Sequence, residues 1–404
     1  MSQQVQQLLE SHPQWTAVQA IYHTLRANGY KAFLAGGCVR DALLGVPAND
    51  LDLATDATPD QLEGLFARTV NVGKAFGVIR VLEQDQDIEV ATFRTDGKYK
   101  DGRRPEDVQF SSPAEDARRR DFTVNALFFD LEKKTVVDYV DGIQDLGKKI
   151  LRTVGDAKKR FGEDHLRLLR AARFVAQLNF DLEHKTLQSL QDMAALVKTV
   201  SGERLRDEMI KMLKSAAVLR GLKVMQETGM LEVLFPFRLR NNSWNAELQG
   251  REAWQNLALF FRSAQEVELK QGFQLLKLSS KEQREIERAW ILWQRPAAFF
   301  ALSIGKKLSK MPEPGTAWAV AILAQEHSLF LAEIKVLQQA WQAWNAQLPK
   351  PFLNGEDLQG KLTGKAIGAC LAEAFELQLE RQLNDREQSL EWLKAYLEKE
   401  SHGV

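Results

Sequence analysis

The feature that most constrains the fold is a change in hydrophobic pattern near Gly155. Before this point, short segments in which apolar and polar residues alternate lie between segments with helical periodicity. From Lys158 onward, apolar residues recur almost wholly at helical spacing, and breaks at Pro236, Pro296 and Pro351 separate the helices. The pattern predicts an α+β fold, in which a mixed sheet with helices over about 150 residues precedes an all-helical part.

Individual elements are predicted within the first part. A helix over residues 1–28 ends at Asn28-Gly29, and a strand at residues 31–35 runs into Gly36-Gly37. Residues 95–105 are rich in Gly, Lys, Arg and Asp and lack apolar periodicity, so we predict a mobile loop. Helices are also expected at residues 39–44 and 58–66. Strands are expected at residues 50–53, 70–72, 78–83 and 87–93. Two further segments, at residues 122–130 and 135–139, complete the mixed unit.

The composition favours a cytoplasmic protein. The chain has two cysteines, Cys38 and Cys370, too distant in sequence to suggest a metal clip, and its six histidines form no HxxxH pair. The first ten residues are polar, and no run of about 18 apolar residues occurs. We therefore expect no disulfide dependence, no histidine metal site and no membrane association.

The charge distribution allows two interpretations. The net charge is zero, but residues 145–173 carry nine Lys or Arg against four acids, and residues 198–223 carry seven against three. Such stretches are commonly solvated helix faces. They would equally suit a local surface that holds an RNA backbone, so charge alone does not decide between the two.

Two aspartates point to metal-dependent chemistry. Asp50 and Asp52 are two residues apart, which on a strand places both carboxylates on one face. Their repulsion would be relieved by a pair of Mg²⁺ ions, which prefer oxygen ligands and can serve an in-line displacement. Glu89, on a later predicted strand, could supply a third carboxylate. The alternative for an Asp-x-Asp segment alone is an exposed loop.

The segment before these aspartates favours a nucleotide site. Gly36-Gly37 opens a predicted helix, whose backbone N–H groups could meet a triphosphate, and Arg40 would add a positive charge. Gly-Gly, Asp-x-Asp and a later strand carboxylate together resemble the polymerase-beta nucleotidyltransferase superfamily. The run LAGGCVRDALLGVPANDLDLATDATPDQL resembles the first signature of its class II group, the CCA-adding enzymes and bacterial poly(A) polymerases.

Two further segments resemble signatures of this group. Arg119-Arg120-Asp121-Phe-Thr-Val-Asn125 is similar to the motif that holds the ribose and triphosphate, which suits arginines for phosphate and Asp121 or Asn125 for hydroxyls. Glu163-Asp164-His165-Leu166-Arg167 is similar to the base-selecting motif. By spacing alone Asp164 and Arg167 would share a helix face and could form a simple ion pair. The predicted nucleotide-binding set also includes Arg170 and Arg173.

The resemblance implies a reaction as well as a fold. Asp164 would accept from the exocyclic amine of cytosine or adenine and Arg167 would donate to the ring nitrogen, which selects C and A without a nucleic-acid template. The RNA 3′-hydroxyl would attack the α-phosphate of CTP or ATP with the help of two Mg²⁺ ions. The segment at residues 201–208 resembles the motif that braces the neck, and we predict structural roles for Glu203 and Arg204.

The resemblance also implies a domain layout and partners. The expected partner is tRNA, held at its acceptor arm and outer corner, and no obligate protein partner is implied. Residues 353–358 and 362–368 resemble the tail segment of bacterial members, in which Gly364, Lys365 and Gly368 would approach phosphate. The implied divisions are a catalytic head (1–150), a base-selecting neck (151–215), a body (216–345) and a tRNA-binding tail (346–404).

Other members and other classes provide the alternatives. Residues 70–81 resemble the CCA-adding pattern, and the chain ends without a long basic tail, which argues against a poly(A) polymerase. The loop at 95–105 resembles the one that CCA enzymes need for the final A, but it does not exclude an enzyme that adds only A. An antibiotic-modifying nucleotidyltransferase would lack the long helical arm, and an inactive RNA-binding module would have lost a carboxylate.

Overall fold

The protein consists of two compact units, Met1–Ala246 and Glu247–Val404. The structure is a computed structural model that describes residues 2–97, 99, 102, 107–239, 250, 252–326 and 328–402. The boundary between the units falls inside the predicted body. The division into head, neck, body and tail therefore stays a prediction.

The first unit contains a mixed set of strands and helices. Over the head these are α1 (Ser2–Glu10), α2 (Trp15–Ala27), β1 (Ala32–Ala35), α3 (Gly37–Leu43), β2 (Leu53–Thr55), α4 (Pro59–Leu65), β3 (Thr69–Gly73), β4 (Val78–Glu83), β5 (Gln86–Thr92), β6 (Arg94–Asp96), β7 (Val108–Phe110), α5 (Pro113–Arg119), β8 (Leu127–Asp130), β9 (Thr135–Asp138), α6 (Gly142–Lys148) and β10 (Ile150–Leu151). The rest of the unit comprises α7 (Ala157–Glu163), α8 (Leu166–Leu178), β11 (Asp181–Leu182), α9 (His184–Met193), α10 (Gly202–Leu213), α11 (Val218–Glu227) and α12 (Met230–Leu234).

A seven-stranded sheet forms the head, in the order β3-β4-β5-β2-β1-β8-β9. Strands β2 and β5 are parallel and the other neighbours in this sheet are antiparallel. Alternate residues of β4 and β5 are buried. Phe93 and Phe128 pack edge to face in a core with Ala35 and Ala54. This core fixes the ends of β1, β2 and β5, where the candidate site lies.

Local sequence signals account for many boundaries. Thr58 and Gln61 form a capping box at the start of α4, with Pro59 in its first turn. Ser112 and Glu115 form the same device at α5. The predicted strands at 31–35, 70–72, 78–83 and 87–93 correspond to β1, β3, β4 and β5, so these predictions are confirmed.

Three predictions about secondary-structure elements need correction, and a fourth falls partly on residues outside the described ones. The first helix is interrupted at residues 11–14, where Pro13 lacks the N–H that a continuous helix needs. The strand expected at 50–53 begins only at Leu53. The two-residue strand β11 pairs with β10 in the part expected to be all helical. Of the loop at 95–105, residues 95–96 belong to β6, whereas 98, 100, 101 and 103–105 lie outside the described residues.

Helices α8, α10 and α11 pack together after the sheet. Leu168, Leu169, Ala171 and Ala172 of α8 are completely buried, and Leu205 and Met209 of α10 are too. Within the described residues, no helix combines the length and hydropathy that crossing a membrane requires.

The second unit is helical throughout its described part. Its helices are α13 (Ala253–Phe261), α14 (Glu266–Leu275), α15 (Ser280–Gln294), α16 (Pro296–Phe300), α17 (Ile304–Lys310), α18 (Pro314–Gln325), α19 (Leu331–Ala343), α20 (Lys365–Leu379) and α21 (Arg386–His402). Trp254 and Trp293 each pack against Trp318 with ring centres 5.4 Å apart, so these three tryptophans serve packing. A second core around Leu358 and Cys370 holds α20 and α21 together. The mixed sheet followed by helices confirms the predicted fold class.

Candidate active site

The site begins at the turn between β1 and α3. Gly36 has φ +79°, a conformation that residues with a side chain rarely adopt. A Cβ atom there would lie 3.0 Å from Nη1 of Arg120 and 3.6 Å from the carbonyl oxygen of Asn125. Glycine is therefore required both by the backbone and by the close approach of the Arg120–Asn125 segment.

The three predicted catalytic carboxylates lie near the start of β2, two of them just before it and the third beside it on β5. Strands β2 and β5 are parallel with Leu53 opposite Val90, so the preceding residues, Asp52 and Glu89, are neighbours. The carbonyl oxygen of Asp52 accepts a hydrogen bond from the N–H of Ala35, which ties it to the end of β1 at 3.0 Å. The pairing with β1 goes no further because the chain turns at Gly36.

Behind the turn, buried polar side chains form a connected network. Arg40 donates from Nη1 to Oδ1 of Asn125 at 2.5 Å and is paired with Asp41 at 2.7 Å. Nδ2 of Asn125 donates to Oδ1 of Asp121 at 3.3 Å, and Arg170 donates to Oδ2 of Asp121 at 2.8 and 2.6 Å. Burial opposes ionisation of Asp121, but Arg170 and Arg167 nearby hold its pKa at about 2.

Arg119 and Arg120 are held by one buried carboxylate. Both guanidinium groups donate to Asp116, at 2.8 and 3.1 Å from their Nε atoms. The carbonyl oxygen of Arg119 in turn accepts from Nη1 of Arg160 at 3.0 Å and from Nη2 of Arg167 at 3.1 Å. The segment predicted to bind phosphate is therefore anchored to both α5 and the helices that follow the sheet.

Helix α8 presents a row of arginines to the site. Arg167, Arg170 and Arg173 are three residues apart and so lie along one face of the helix. Phe174 packs among them, with its ring centre 3.6 Å from the guanidinium carbon of Arg173 and 5.1 Å from that of Arg170. Glu208 of α10 pairs with both arginines, which fixes their heads.

The predicted shared helix of Asp164 and Arg167 is wrong. Asp164 lies between α7 and α8 with extended backbone, φ −137° and ψ 107°. Its Oδ1 accepts from the N–H of Leu166 at 3.1 Å, so its side chain begins a new helix instead of continuing the old one. Its Oδ2 pairs with Arg204 at 2.6 Å, whereas Arg167 pairs with Glu163 at 2.7 Å.

All fourteen predicted site residues nevertheless line one open cleft of about 610 Å³. They are Gly36, Gly37, Arg40, Asp50, Asp52, Glu89, Arg119, Arg120, Asp121, Asn125, Asp164, Arg167, Arg170 and Arg173. A second cavity of about 620 Å³ shares Arg94, Arg119, Asp164 and Arg167 with the first and adds residues 71–76 and Arg204. Asp164 and Arg167 thus lie where the two cavities meet. The roles of these residues stay predictions.

Sequence reasoning missed several residues of the site, and four of them bear on its chemistry. Arg94, Phe174 and Lys211 line the first cleft, and Arg204, for which a structural role was expected, lines the second cavity and pairs with Asp164. Lys211 lies seven residues after Arg204, on the same face of α10. That helical spacing was the one signal that could have linked the two.

The surroundings of Asp50 and Asp52 suit a divalent cation. Burial, followed by the charges of Asp50 and Glu89, raises the pKa of Asp52 to about 7, because negative charge is concentrated there. No three His, Cys, Asp or Glu side chains of the described residues are grouped so as to hold a metal by themselves. Mg²⁺ is commonly held by one or two carboxylates together with substrate phosphates and water. The donor set therefore fits Mg²⁺ that binds together with a nucleotide.

Known proteins resemble this chain over nearly its whole length. The model of the Poly A polymerase head domain matches residues 32–152, and that of the probable RNA and SrmB-binding site of polymerase A matches residues 179–239. The CCA-adding enzyme of Bacillus pumilus (strain SAFR-032) is 34% identical over 403 residues, which cover 93% of this chain and 96% of that enzyme. The CCA-adding enzyme of Geobacillus stearothermophilus is also 34% identical, over 384 residues, 90% of this chain and 91% of that enzyme.

A solved structure agrees with these relatives. The crystal structure of the Bacillus stearothermophilus CCA-adding enzyme in complex with CTP superposes with a TM-score of 0.78 at 28% identity, covering 97% of this chain and 100% of that chain. The resemblance inferred from the sequence motifs is confirmed. The chain belongs to the family of CCA-adding enzymes, which are tRNA nucleotidyltransferases.

Proposed function

We propose that this chain adds C, C and A in turn to the 3′ end of tRNA, from CTP and ATP and without a nucleic-acid template. The observation that carries the proposal is the single cleft lined by Asp50, Asp52, the Gly36 turn, the arginines and the pair Asp164 and Arg167. The RNA 3′-oxygen forms a bond to the α-phosphorus, and the bond to the leaving pyrophosphate breaks. The chain needs no covalent nucleophile of its own for this displacement.

The metal would be held by the carboxylates at the strand ends. Asp50 and Asp52 are the proposed ligands, and Glu89 lies beside them as a third carboxylate. When bound, a pair of Mg²⁺ ions would lower the pKa of the attacking hydroxyl and neutralise charge on the phosphates. These two aspartates are thereby the residues on which the chemical step depends most directly.

The arginines would hold the triphosphate and the polar network the ribose. Arg40, Arg119 and Arg120 line the cleft, and carboxylate partners fix their guanidinium groups. Phosphate binding would therefore cost little side-chain entropy. Asp121 and Asn125 are hydrogen-bonded to each other and would present fixed groups to sugar hydroxyls. Pre-positioned charge of this kind stabilises the transition state without reorganisation.

Base selection would depend on Asp164 and Arg167. An ionised carboxylate only accepts hydrogen bonds and a guanidinium only donates them. Cytosine and adenine each offer an exocyclic amine beside an unprotonated ring nitrogen, which matches that pair. Uracil and guanine offer a carbonyl beside a protonated ring nitrogen, so both contacts would be repulsive.

The proposed partner is tRNA, and the proposed product is a complete CCA end. The tail segment around Gly364, which has φ +55° at the start of α20, and the exposed Lys365 would contact the outer corner of tRNA. An A-adding enzyme or a poly(A) polymerase would use the same head. The pattern at residues 70–81 favours full CCA addition.

The test uses the purified chain with Mg²⁺, CTP and ATP, and tRNA ending at the discriminator base, at C or at CC. Sequencing the products should reveal CCA on the shortest substrate and completion of the other two. One A on the CC-ended substrate alone would identify an A-adding enzyme. Long A tracts on unrelated RNA would identify a poly(A) polymerase, and no extension would refute the proposal.

A further inference from the structure

One arginine beside the predicted catalytic carboxylates has no part in the proposed function so far. Arg80 of β4 lies directly opposite Glu89 of β5 in their antiparallel pairing, so the two side chains project from the same face of the sheet. Val78, two residues earlier on β4, lines the cleft, as Glu89 does. Arg80 therefore lies at the edge of the cleft, next to one of the three carboxylates.

The packing of β4 fixes the face from which this side chain projects. Ile79 and Val81, on either side of Arg80, point to the other face and are completely buried. Ile88 and Val90 on β5 are completely buried on that face as well. A slip of one residue in the pairing would bring these apolar side chains into solvent, so the register is firmly set.

The ion pair that Arg80 makes leaves it available to a ligand. Its Nη1 lies 3.0 Å from Oδ2 of Asp87, and the two side chains are 47% and 45% exposed. An ion pair this exposed contributes little stability, because water screens both charges. Burial raises the pKa of Glu89, and the charge of Arg80 opposes this rise, so its positive field reaches the carboxylates. Arg80 can therefore turn from Asp87 to a phosphate without disturbing the fold.

The order of the strands indicates which substrate would meet Arg80. The turn at Gly36, proposed to hold the triphosphate, donates from its N–H to the carbonyl oxygen of Leu127 at the start of β8. Strand β4 lies on the opposite side of β2, beyond β5. In an in-line displacement, the attacking and leaving oxygens are on opposite sides of the phosphorus. The RNA 3′ end would therefore approach the carboxylates from the side of β4.

We propose that Arg80 binds a backbone phosphate near the 3′ end of the RNA and so positions the attacking hydroxyl at the catalytic carboxylates. The inference rests on the proposed function and adds to it a residue for the RNA, since the other predicted arginines of the cleft are assigned to the nucleotide. A phosphate that approaches clustered carboxylates is repelled by them. A guanidinium beside Glu89 offsets this repulsion and can donate two parallel hydrogen bonds to the phosphate.

The test measures kcat and KM of the wild type, Arg80→Gln and Arg80→Lys in the full-length chain, with Mg²⁺, ATP and tRNA ending at CC. Arg80→Gln is expected to raise KM for tRNA about three- to tenfold and to leave KM for ATP within about twofold of the wild type. Arg80→Lys keeps the charge and should recover part of the loss. The dependence of log KM for tRNA on log salt concentration should become shallower by about 0.7 in Arg80→Gln, the value for one phosphate contact on a single strand.

The matched control is Arg26→Gln. Arg26 is similarly exposed, at 42%, and is paired with Glu132 in the same unit, but it does not line the cleft. This variant should keep the wild-type KM for tRNA. An equal rise of KM for tRNA in Arg26→Gln and Arg80→Gln would mean that any lost surface charge weakens binding, and it would overturn the inference.

Neutral linkages in the RNA distinguish a direct contact from a general change in the site. A methylphosphonate at each of the last three linkages of the tRNA in turn removes one charge at a time. At the contacted linkage, it should raise KM for the wild type but cause no further rise for Arg80→Gln. If each replacement affects both proteins equally, or if Arg80→Gln changes only the Mg²⁺ requirement, this inference is overturned and the proposed function is not. No extension of any RNA by the wild type would refute the proposed function itself.

Discussion

At the scale of single residues, the cleft holds two kinds of carboxylate whose surroundings have opposite effects. Asp52 is partly buried beside Asp50 and Glu89, and its pKa is raised to about 7. Asp121 is buried against Arg170, and its pKa is lowered to about 2. The clustered negative charges around Asp52 would be stabilised by a bound cation, whereas the negative charge of Asp121 is already balanced by its salt bridge with Arg170. The first group suits metal chemistry and the second suits a fixed binding surface.

The metal role predicts the behaviour of two alanine variants. Asp50→Ala and Asp52→Ala should each reduce nucleotide transfer by at least about a hundredfold, since each removes a metal-binding oxygen. Binding of tRNA, followed by gel shift, should be preserved because other surfaces hold the RNA. The control is Asp192→Ala, which removes an exposed carboxylate paired with Lys158. Wild-type transfer in either active-site variant would eliminate the metal-ligand assignment.

The pairing of Asp121 predicts a pH dependence of stability. Its pKa is about 2 in the folded protein and about 4 in an unfolded chain, so its ionisation stabilises the fold above pH 4 and this contribution disappears as the pH falls through 2. Asp121→Asn should lower the free energy of unfolding by about 2 kcal/mol at pH 7, and the difference from wild type should shrink to roughly half by pH 3. Urea unfolding at pH 7, 4 and 3 measures it. A difference that stays constant with pH would contradict the assignment.

At the scale of elements, periodicity identified strands well but not the segments between them. Alternation was enough for β4 and β5, because each has one buried face, whereas β1 is largely buried on both faces. Alternation extended β2 back to Asp50, although β1 turns away at Gly36 and the N–H of Leu51 donates to the side chain of Gln14 instead of to a strand. Spacing cannot detect such an ending, which depends on a strand elsewhere in the chain.

The neck helices illustrate the same limit. Asp164 and Arg167 fit one helix by spacing, yet the Asp164 side chain accepts from the N–H of Leu166 and starts a second helix. The motif identified both residues as members of the site, but their partners, Arg204 for Asp164 and Arg119 for Arg167, are 40 and 48 residues away. These contacts follow from packing against α10 in one case and against the end of α5 in the other, and no local pattern encodes them.

Helix α10 also carries a cation that is available to substrate. The arginines of the cleft have carboxylate partners, as Arg170 does in Asp121. Lys211 lines the same cleft, and in the part of the chain that the structure describes it makes no ion pair. Lys211→Met should therefore raise KM for the nucleotide or the RNA about three- to tenfold with little change in kcat, since it would remove a cation placed to contact substrate phosphate. The matched control is Lys214→Met, at an exposed position outside the cleft, and equal kinetics of the two variants would refute a role for Lys211.

At the scale of the whole molecule, the predicted catalytic residues and the segments predicted to bind the outer corner of tRNA belong to different units. Every predicted residue of the cleft belongs to the unit Met1–Ala246, and the segments expected to contact the outer corner of tRNA belong to the unit Glu247–Val404. Each unit has its own hydrophobic core, one around Phe128 and another around Leu358. Two modules that bind one RNA raise the overall affinity far above that of either alone.

This separation predicts how a shortened chain behaves. Residues 1–246 should fold by themselves, because their core is complete, and should unfold cooperatively and bind CTP with unchanged affinity. Their KM for full-length tRNA should rise at least about tenfold, since the second contact is lost. For a minihelix limited to the acceptor arm, the shortened and full-length chains should differ little, because that RNA lacks the outer corner. If the shortened chain instead loses CTP binding, the second unit contributes to the catalytic cleft itself, and if it keeps its KM for tRNA, the predicted tail contact has no role in binding.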